Sequence, residues 1–231
     1  MRGANPVRAQ ERSDGATLWI QEVFYTLQGE GPFIGEPSVF VRTGGCNLRC
    51  HWCDTDFESS TWHPSLEELL RHIEKLRPPS CDLIVLTGGE PLRQNVVPLV
   101  RALLGRGLRV QMETNGTLWL ADLPDAPRLT IVCSPKTPSL DVDLVPRVSV
   151  YKYVLAAGET DAEDGLPTAS TQRPGQEARL FRPPPGAAIT VMPRDDGDAA
   201  KNAANLKACT EVALTHGYRM SVQLHKLLGI A

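Results

Sequence analysis

The chain has 231 residues, 42% hydrophobic and 22% charged, with a net charge of −3. That is enough for one core, and it sets up no basic field of the kind that draws nucleic acid directly. No apolar run reaches the ~20 residues of a membrane span, and the polar stretch Met1 to Gly15 is no secretory leader. Residues 1–17 read as a flexible extension ahead of a single domain, residues 18–231. Six cysteines without a leader suit a reducing, cytoplasmic setting.

Ser38–Arg42 is a short β-rich run followed by a cysteine-bearing loop. Ser65 and Glu68 make a capping box, and Leu66, Leu69, Leu70, Ile73 and Leu76 then recur at helical spacing until Pro78-Pro79. Asp82–Leu86 reads as a buried parallel strand. A second helix carries Val96, Val97, Val100, Leu103 and Leu104, stopping near Gly105 and Gly107. Strand-like runs recur at Leu108–Met112, Leu129–Cys133, Val148–Leu155, Ala187–Met192 and Tyr218–Leu224, with a long helix at about Ala199 to Thr215 before the last. Repeated β-then-α order predicts a mainly parallel sheet. About seven strands are too few to close an eight-fold barrel, so the expected fold is an α/β, incomplete, open (β/α) barrel. Gly158 to Gly186 breaks the pattern: its Pro-, Gly- and charge-rich composition predicts a solvated surface insertion.

Cys46, Cys50 and Cys53 form C-x₃-C-x₂-C with no fourth cysteine nearby. Three thiolates can hold three corners of a cubane iron–sulfur cluster and leave one iron open. The same residues, with His51, also allow a zinc site, and a disulfide framework is formally open. Cys81, Cys133 and Cys209 lie apart and read as buried small hydrophobes. Further motifs fall at predicted strand ends, where open α/β sheets gather ligands. Thr87-Gly88-Gly89-Glu90-Pro91 offers a tight turn with an acceptor, Glu113-Thr114-Asn115-Gly116-Thr117 offers carboxylate, hydroxyl and amide groups, and Ser134-Pro135-Lys136 offers a cation.

The cysteine spacing and the GGEP segment resemble those of radical S-adenosylmethionine (SAM) enzymes. The fuller set is LQGEG at Leu27 to Gly31, Arg42, CNLRCHWCDT, TGGEP, ETNGT, SPK and the tail Gln223-Leu-His-Lys-Leu-Leu-Gly-Ile. In order and spacing it resembles the 7-carboxy-7-deazaguanine synthase family of queuosine and 7-deazapurine biosynthesis, from about Trp19 to the end. The resemblance implies the radical SAM type of open barrel. It also implies ring contraction of 6-carboxy-5,6,7,8-tetrahydropterin to 7-carboxy-7-deazaguanine with loss of ammonia, a carbon–nitrogen lyase reaction started by a 5′-deoxyadenosyl radical. The implied cofactors are a [4Fe–4S] cluster, SAM and Mg²⁺, and the cofactors rather than side-chain acids or bases carry the chemistry.

Residue by residue, the resemblance places the cluster on Cys46, Cys50 and Cys53 and Mg²⁺ on Thr55. It places the pterin against Leu27, Gln28, Gly29, Arg42 and Thr87. Trp52, Asp54, Gly89, Glu90, Glu113, Ser134, Pro135 and Lys136 would form the SAM site. Implied partners are the pterin, an electron donor such as flavodoxin or ferredoxin, and a second copy in a homodimer. Met192-Pro193-Arg194-Asp195 stands where family members often carry Gln-Pro-Met-Asp. A glycyl-radical activating enzyme shares C-x₃-C-x₂-C and a Gly-rich SAM loop, but has no need of LQGEG, Asp54-Thr55 or the QLHK tail.

Overall fold

A computed structural model describes residues 5–230. The chain lays down an eight-stranded sheet in sequence order. The strands are β1 (Ile20–Leu27), β2 (Pro37–Thr43), β3 (Leu83–Gly88), β4 (Arg109–Thr114), β5 (Leu129–Cys133), β6 (Val150–Leu155), β7 (Ile189–Pro193) and β8 (Arg219–Met220). β1 pairs antiparallel with β2, and every later neighbour is parallel. The first and last strands do not pair, so the sheet stays open, as expected. β1 was not anticipated as a strand. As an antiparallel edge it buries only Ile20, leaves its other residues half-exposed or exposed and carries Gln21 and Glu22, which dilutes its apolar signal.

Few helices cover the sheet. α1 (Leu66–Leu76) crosses from β2 to β3, α2 (Val97–Gly105) from β3 to β4, and α3 (Ala199–His216) from β7 to β8. α1 starts in the expected capping box: Glu68 N–H donates to Ser65 Oγ, and Ser65 N–H donates to Glu68 Oε2 at 2.8 Å. Its buried Leu69, Leu70 and Ile73 are the residues that the periodicity selected. α3 is capped by Asp198, which accepts from Lys201 N–H, and closes on left-handed Gly217. The β4–β5, β5–β6 and β6–β7 connections hold no α-helix, only a 3₁₀ turn at Val145–Arg147. In β3, Leu83 to Leu86 are all fully buried, as a strand covered on both faces requires. The predicted final strand is shorter than expected, and the tail turns into α4 (Leu224–Leu228). Leu224 N–H donates to Gly29 O at 3.1 Å, which draws the tail back across to the end of β1.

Two segments differ from their compositional reading. Residues 5–17 run along the body: Arg8 N–H donates to Cys46 O, Glu11 N–H donates to Arg93 O, and Arg8 grips Glu58 with two nitrogens. Arg93, only 1% exposed, holds Glu11 and Gly44 O together from beneath. The stretch 158–186 carries its own antiparallel bridges, Thr160 with Pro167 and Ala169 with Glu177. It buries Leu166, Thr171 and Leu180. Its few apolar residues are buried one at a time, without the periodicity that would announce them. Its backbone is satisfied locally, which a polar composition permits.

Candidate active site

The loops leaving β2, β3, β4, β5 and β7 at their carboxyl ends line one cavity of ≈ 590 Å³. The cysteine loop is fixed at its base. Gly44 N–H donates to Trp19 O, and Gly45 N–H donates to Phe57 O at 2.8 Å. Gly45 has φ +75°, a left-handed turn that a side chain would strain. Gly89 closes the contact from the other side. A Cβ there would lie 2.2 Å from Gly45 O and 2.9 Å from Cys46 Cβ. Gly88, at φ +143°, would collide with Thr43 in the same way. The two glycines therefore let the β3 loop approach the base of the cysteine loop closely, while both still line the cavity.

Cys46, Cys50 and Cys53 all line the cavity as free thiols. Burial pushes the Cys46 thiol up to about 12, with the Glu90 carboxyl adding to the effect, and burial also raises Cys53. Iron binding to such thiols must release protons. Among the described residues, no three His, Cys, Asp or Glu side chains converge tightly enough to hold a single ion. A zinc ion needs that convergence. A cubane does not, because each thiolate binds a different iron. The all-sulfur donor set fits a three-thiolate cluster. Trp52 covers the loop, and Lys136 Nζ lies 5.5 Å from its ring centroid.

Most residues expected in the site line this cavity: Gln28, Arg42, Trp52, Asp54, Thr55, Thr87, Gly89, Glu113, Ser134 and Lys136. Four do not. Leu27 ends β1 directly before the lining Gln28. Gly29 meets the C-terminal segment instead: a Cβ there would lie 2.3 Å from His225 Nδ1. Pro135 faces a small separate pocket. Glu90 is fully buried, and its carboxylate accepts from Leu92 N–H, Thr114 Oγ1 and Asn115 N–H at 2.7–3.0 Å. Burial pushes its pKa up to about 7 against those hydrogen bonds. Its side chain ties the β3 and β4 loops together.

The expected groups are already engaged. Arg42 Nε donates to Glu22 Oε1 at 2.7 Å, and the partner carboxylate is half exposed. Thr55 Oγ1 donates to Asp54 Oδ1 at 3.2 Å. Glu113 accepts from Thr87 Oγ1 at 3.0 Å, from Gln111 Nε2 at 2.9 Å and from Gln28 Nε2 at 3.3 Å. Asn115 and Thr117 bond Asn47, which bolts the β4 turn to the cysteine loop. Lys136 Nζ donates to Ser134 O and Ser134 Oγ, and burial lowers its pKa.

Sequence reasoning missed Lys152, Glu30 and His225, and gave the tail residues Gln223 and Lys226 no role. Lys152 Nζ lies 2.6 Å from Glu30 and 3.6 Å from Glu113, with the ammonium side chain only 8% exposed. Burial would lower its pKa, but Glu113 and Glu30 together raise it, and Lys152 holds Glu30 below the usual carboxylate range. The available signal was a lysine inside the apolar run Val150–Leu155. From the tail, Gln223 Nε2 donates to Glu30, and Lys226 Nζ reaches both Asp54 and Asp195. Met192, Pro193, Arg194 and Asp195 all line the cavity, although Arg194 is paired with Glu159 and Asp196.

Residues 40–171 match the radical SAM superfamily. A 7-carboxy-7-deazaguanine synthase from Rhodospirillum rubrum is 66% identical over 236 residues, covering 100% of both chains. One from Rickettsia prowazekii is 36% identical over 240 residues, covering 100% of this chain and 96% of the other. Among solved structures, the crystal structure of QueE from Escherichia coli superposes with a TM-score of 0.66. It covers 90% of this chain and 95% of that one at 24% identity, which speaks for the shared fold. The chain belongs to the 7-carboxy-7-deazaguanine synthase family within the radical SAM superfamily.

Proposed function

We propose that this enzyme converts 6-carboxy-5,6,7,8-tetrahydropterin to 7-carboxy-7-deazaguanine with loss of ammonia. The observation that carries the reading is the single cavity. It joins the three thiols to a polar wall of Gln28, Thr87, Glu113 and Lys152, in a chain similar over its full length to a synthase of that name. When bound, the cluster on Cys46, Cys50 and Cys53 and SAM supply hydrogen-atom abstraction, with one electron drawn from a donor such as flavodoxin or ferredoxin.

The chain's own residues place the substrate. A flat, amide-rich pterin needs alternating donors and acceptors, and the Gln28–Glu113–Thr87 network presents both at one wall. Arg42 supplies a planar two-point contact for the pterin carboxylate. Its present partner Glu22 is half exposed, so that pair is weak and yields or reorients easily. Thr55, beside Asp54, offers hydroxyl oxygen to Mg²⁺, which prefers oxygen ligands and keeps non-protein ones. We assign Ser134, Lys136 and the backbone at Gly89, which line the same cavity, to SAM.

The test is anaerobic turnover of the reconstituted enzyme with SAM, reductant and carboxypterin, varying Mg²⁺. Turnover should rise with Mg²⁺. Thr55→Ala should blunt that response while the cluster stays intact. Arg42→Lys should raise KM, because an ammonium cannot reproduce the planar fork. Mg²⁺-independent turnover with unchanged kinetics in both variants would overturn these assignments. No product from a loaded enzyme would overturn the substrate.

A further inference from the structure

The stretch between β6 and β7 reaches the cysteine loop at one point. His51 N–H donates to Thr171 O at 2.8 Å. Arg49 N–H donates to the Gln172 side-chain oxygen at 2.9 Å. The Gln172 amide nitrogen then donates to Cys50 Sγ at 3.2 Å and to Thr171 Oγ1 at 2.7 Å. Thr171 is 4% exposed and spends its hydroxyl proton on Lys136 O at 2.8 Å. The turn that presents the pair is fixed from behind. Ser170 Oγ accepts from the N–H groups of Gln172 and Arg173, and Ala169 bridges Glu177. Gln172 is thus held at both ends of its amide, with one N–H aimed at a single sulfur of the thiol triad.

We propose that Gln172 is a positioning residue that tunes the cluster through a hydrogen bond to the Cys50 thiolate. The inference rests on the three-thiolate reading of Cys46, Cys50 and Cys53. An amide N–H pointed at a ligating sulfur stabilises the added negative charge of the reduced cluster, so it raises the reduction potential. It also distinguishes Cys50 from its neighbours: Cys46 Sγ accepts the backbone N–H of Leu48 at 3.4 Å, and the Cys53 thiol donates to Thr55 O at 3.9 Å much as the Cys50 thiol does to Thr171 Oγ1 at 3.6 Å. The segment that looks like a surface insertion by composition would then set how readily the cluster accepts its electron.

The experiment compares wild type, Gln172→Met and Gln172→Glu after anaerobic reconstitution, by iron and sulfide content and by redox titration followed by electron paramagnetic resonance. Methionine keeps the length and removes both the donor and the Arg49 acceptor. Glutamate keeps the acceptor, removes the donor and adds a charge that itself lowers the potential, so the neutral methionine variant isolates the hydrogen bond. Both variants should load iron like wild type and show a midpoint displaced to more negative potential, so that the reduced fraction at a fixed poise falls several-fold. Exchangeable-proton coupling to the reduced cluster should weaken in both. A merely structural role would lower iron content and leave the midpoint of the loaded fraction unchanged, which would overturn the proposal. An unchanged midpoint in Gln172→Glu alone would also overturn it, even if Gln172→Met failed to fold. Failure of wild type to assemble a cluster would instead sink the reading on which the inference stands.

Discussion

The Lys152 ammonium sits 2.6 Å from the Glu30 carboxylate, 122 residues away in the chain. The pair joins the middle of β6 to the turn after β1, across the open mouth of the sheet. Gln223 reaches the same carboxylate from the C-terminal tail. Three distant segments therefore meet on one buried charge.

Breaking that pair from one side should be costly. Lys152→Met leaves Glu30 and Glu113 without their cation; both are 16–19% exposed and line the cavity, so the cost falls below that of a fully buried lone charge, at about 1–3 kcal/mol. Adding Glu30→Gln should recover a substantial part, because it removes one of the stranded charges. Denaturant unfolding of wild type, both single variants and the double variant measures this. Strict additivity of the two single effects would show that the pair is not coupled.

These contacts also mark the limit of what the sequence discloses. The cysteine triad, the Gly88-Gly89 turn and the Ser65 capping box are local: spacing alone carries them, and the structure places each at the expected strand or helix end. The Lys152–Glu30 pair is set by tertiary meeting, and no spacing rule joins residues so far apart. Glu90 shows a subtler limit. Its position in the motif was legible, but its direction was not, because only the fold decides whether a loop carboxylate faces a cavity or its neighbours' backbone. β1 was missed because an edge strand with one solvated face looks polar. Gln172 was hidden in a composition that reads as loop.

The Gly89 contact makes a sharp steric prediction. Gly89→Ala must force apart the β3 loop and the base of the cysteine loop, since the obstructing atoms are Gly45 backbone and the Cys46 Cβ. Iron content after reconstitution should fall strongly, and the melting temperature should drop with it. Gly105→Ala is the control, because nothing lies within 4 Å of its Cβ. It should be neutral or gain up to about 1 kcal/mol in helix α2. Full iron loading in Gly89→Ala would show that the loop tolerates displacement.

The cysteines should separate cleanly into two classes. Cys46→Ala, Cys50→Ala and Cys53→Ala should each abolish SAM cleavage and most cluster absorbance, since all three line the cavity and no spare thiol does. Cys209 is fully buried on α3, away from that cavity. Cys209→Ala should cost about 1 kcal/mol in stability as a small core truncation and leave cluster absorbance intact. Loss of the cluster in Cys209→Ala, or its retention in any of the three loop variants, would contradict this division.

The tail gives a pH-dependent prediction. Lys226 Nζ lies 2.5 Å from Asp195 and 2.8 Å from Asp54, clamping α4 over the cavity mouth. The hydrogen bond from Lys226 is the chief reason that Asp195 falls below its ordinary value of 3.8, with Gly197 N–H and the Asn202 side chain assisting. A depressed folded-state pKa contributes stability above the unfolded value and loses it as pH falls through the folded one. The clamp should therefore be fully present at neutral pH and begin to weaken below about 3.8. Because Lys226 is more than a third exposed, solvent screening limits the effect to about 0.5–1 kcal/mol. The stability difference between wild type and Lys226→Met, followed on the metal-free chain by denaturant unfolding, should be constant from pH 7 to pH 5 and shrink toward zero in acid. High salt at pH 7 should reduce it as well. A difference that stays constant into acid would mean that Lys226 holds the tail through its aliphatic stem, and one that grows as the pH falls would carry the wrong sign for a carboxylate-anchored clamp.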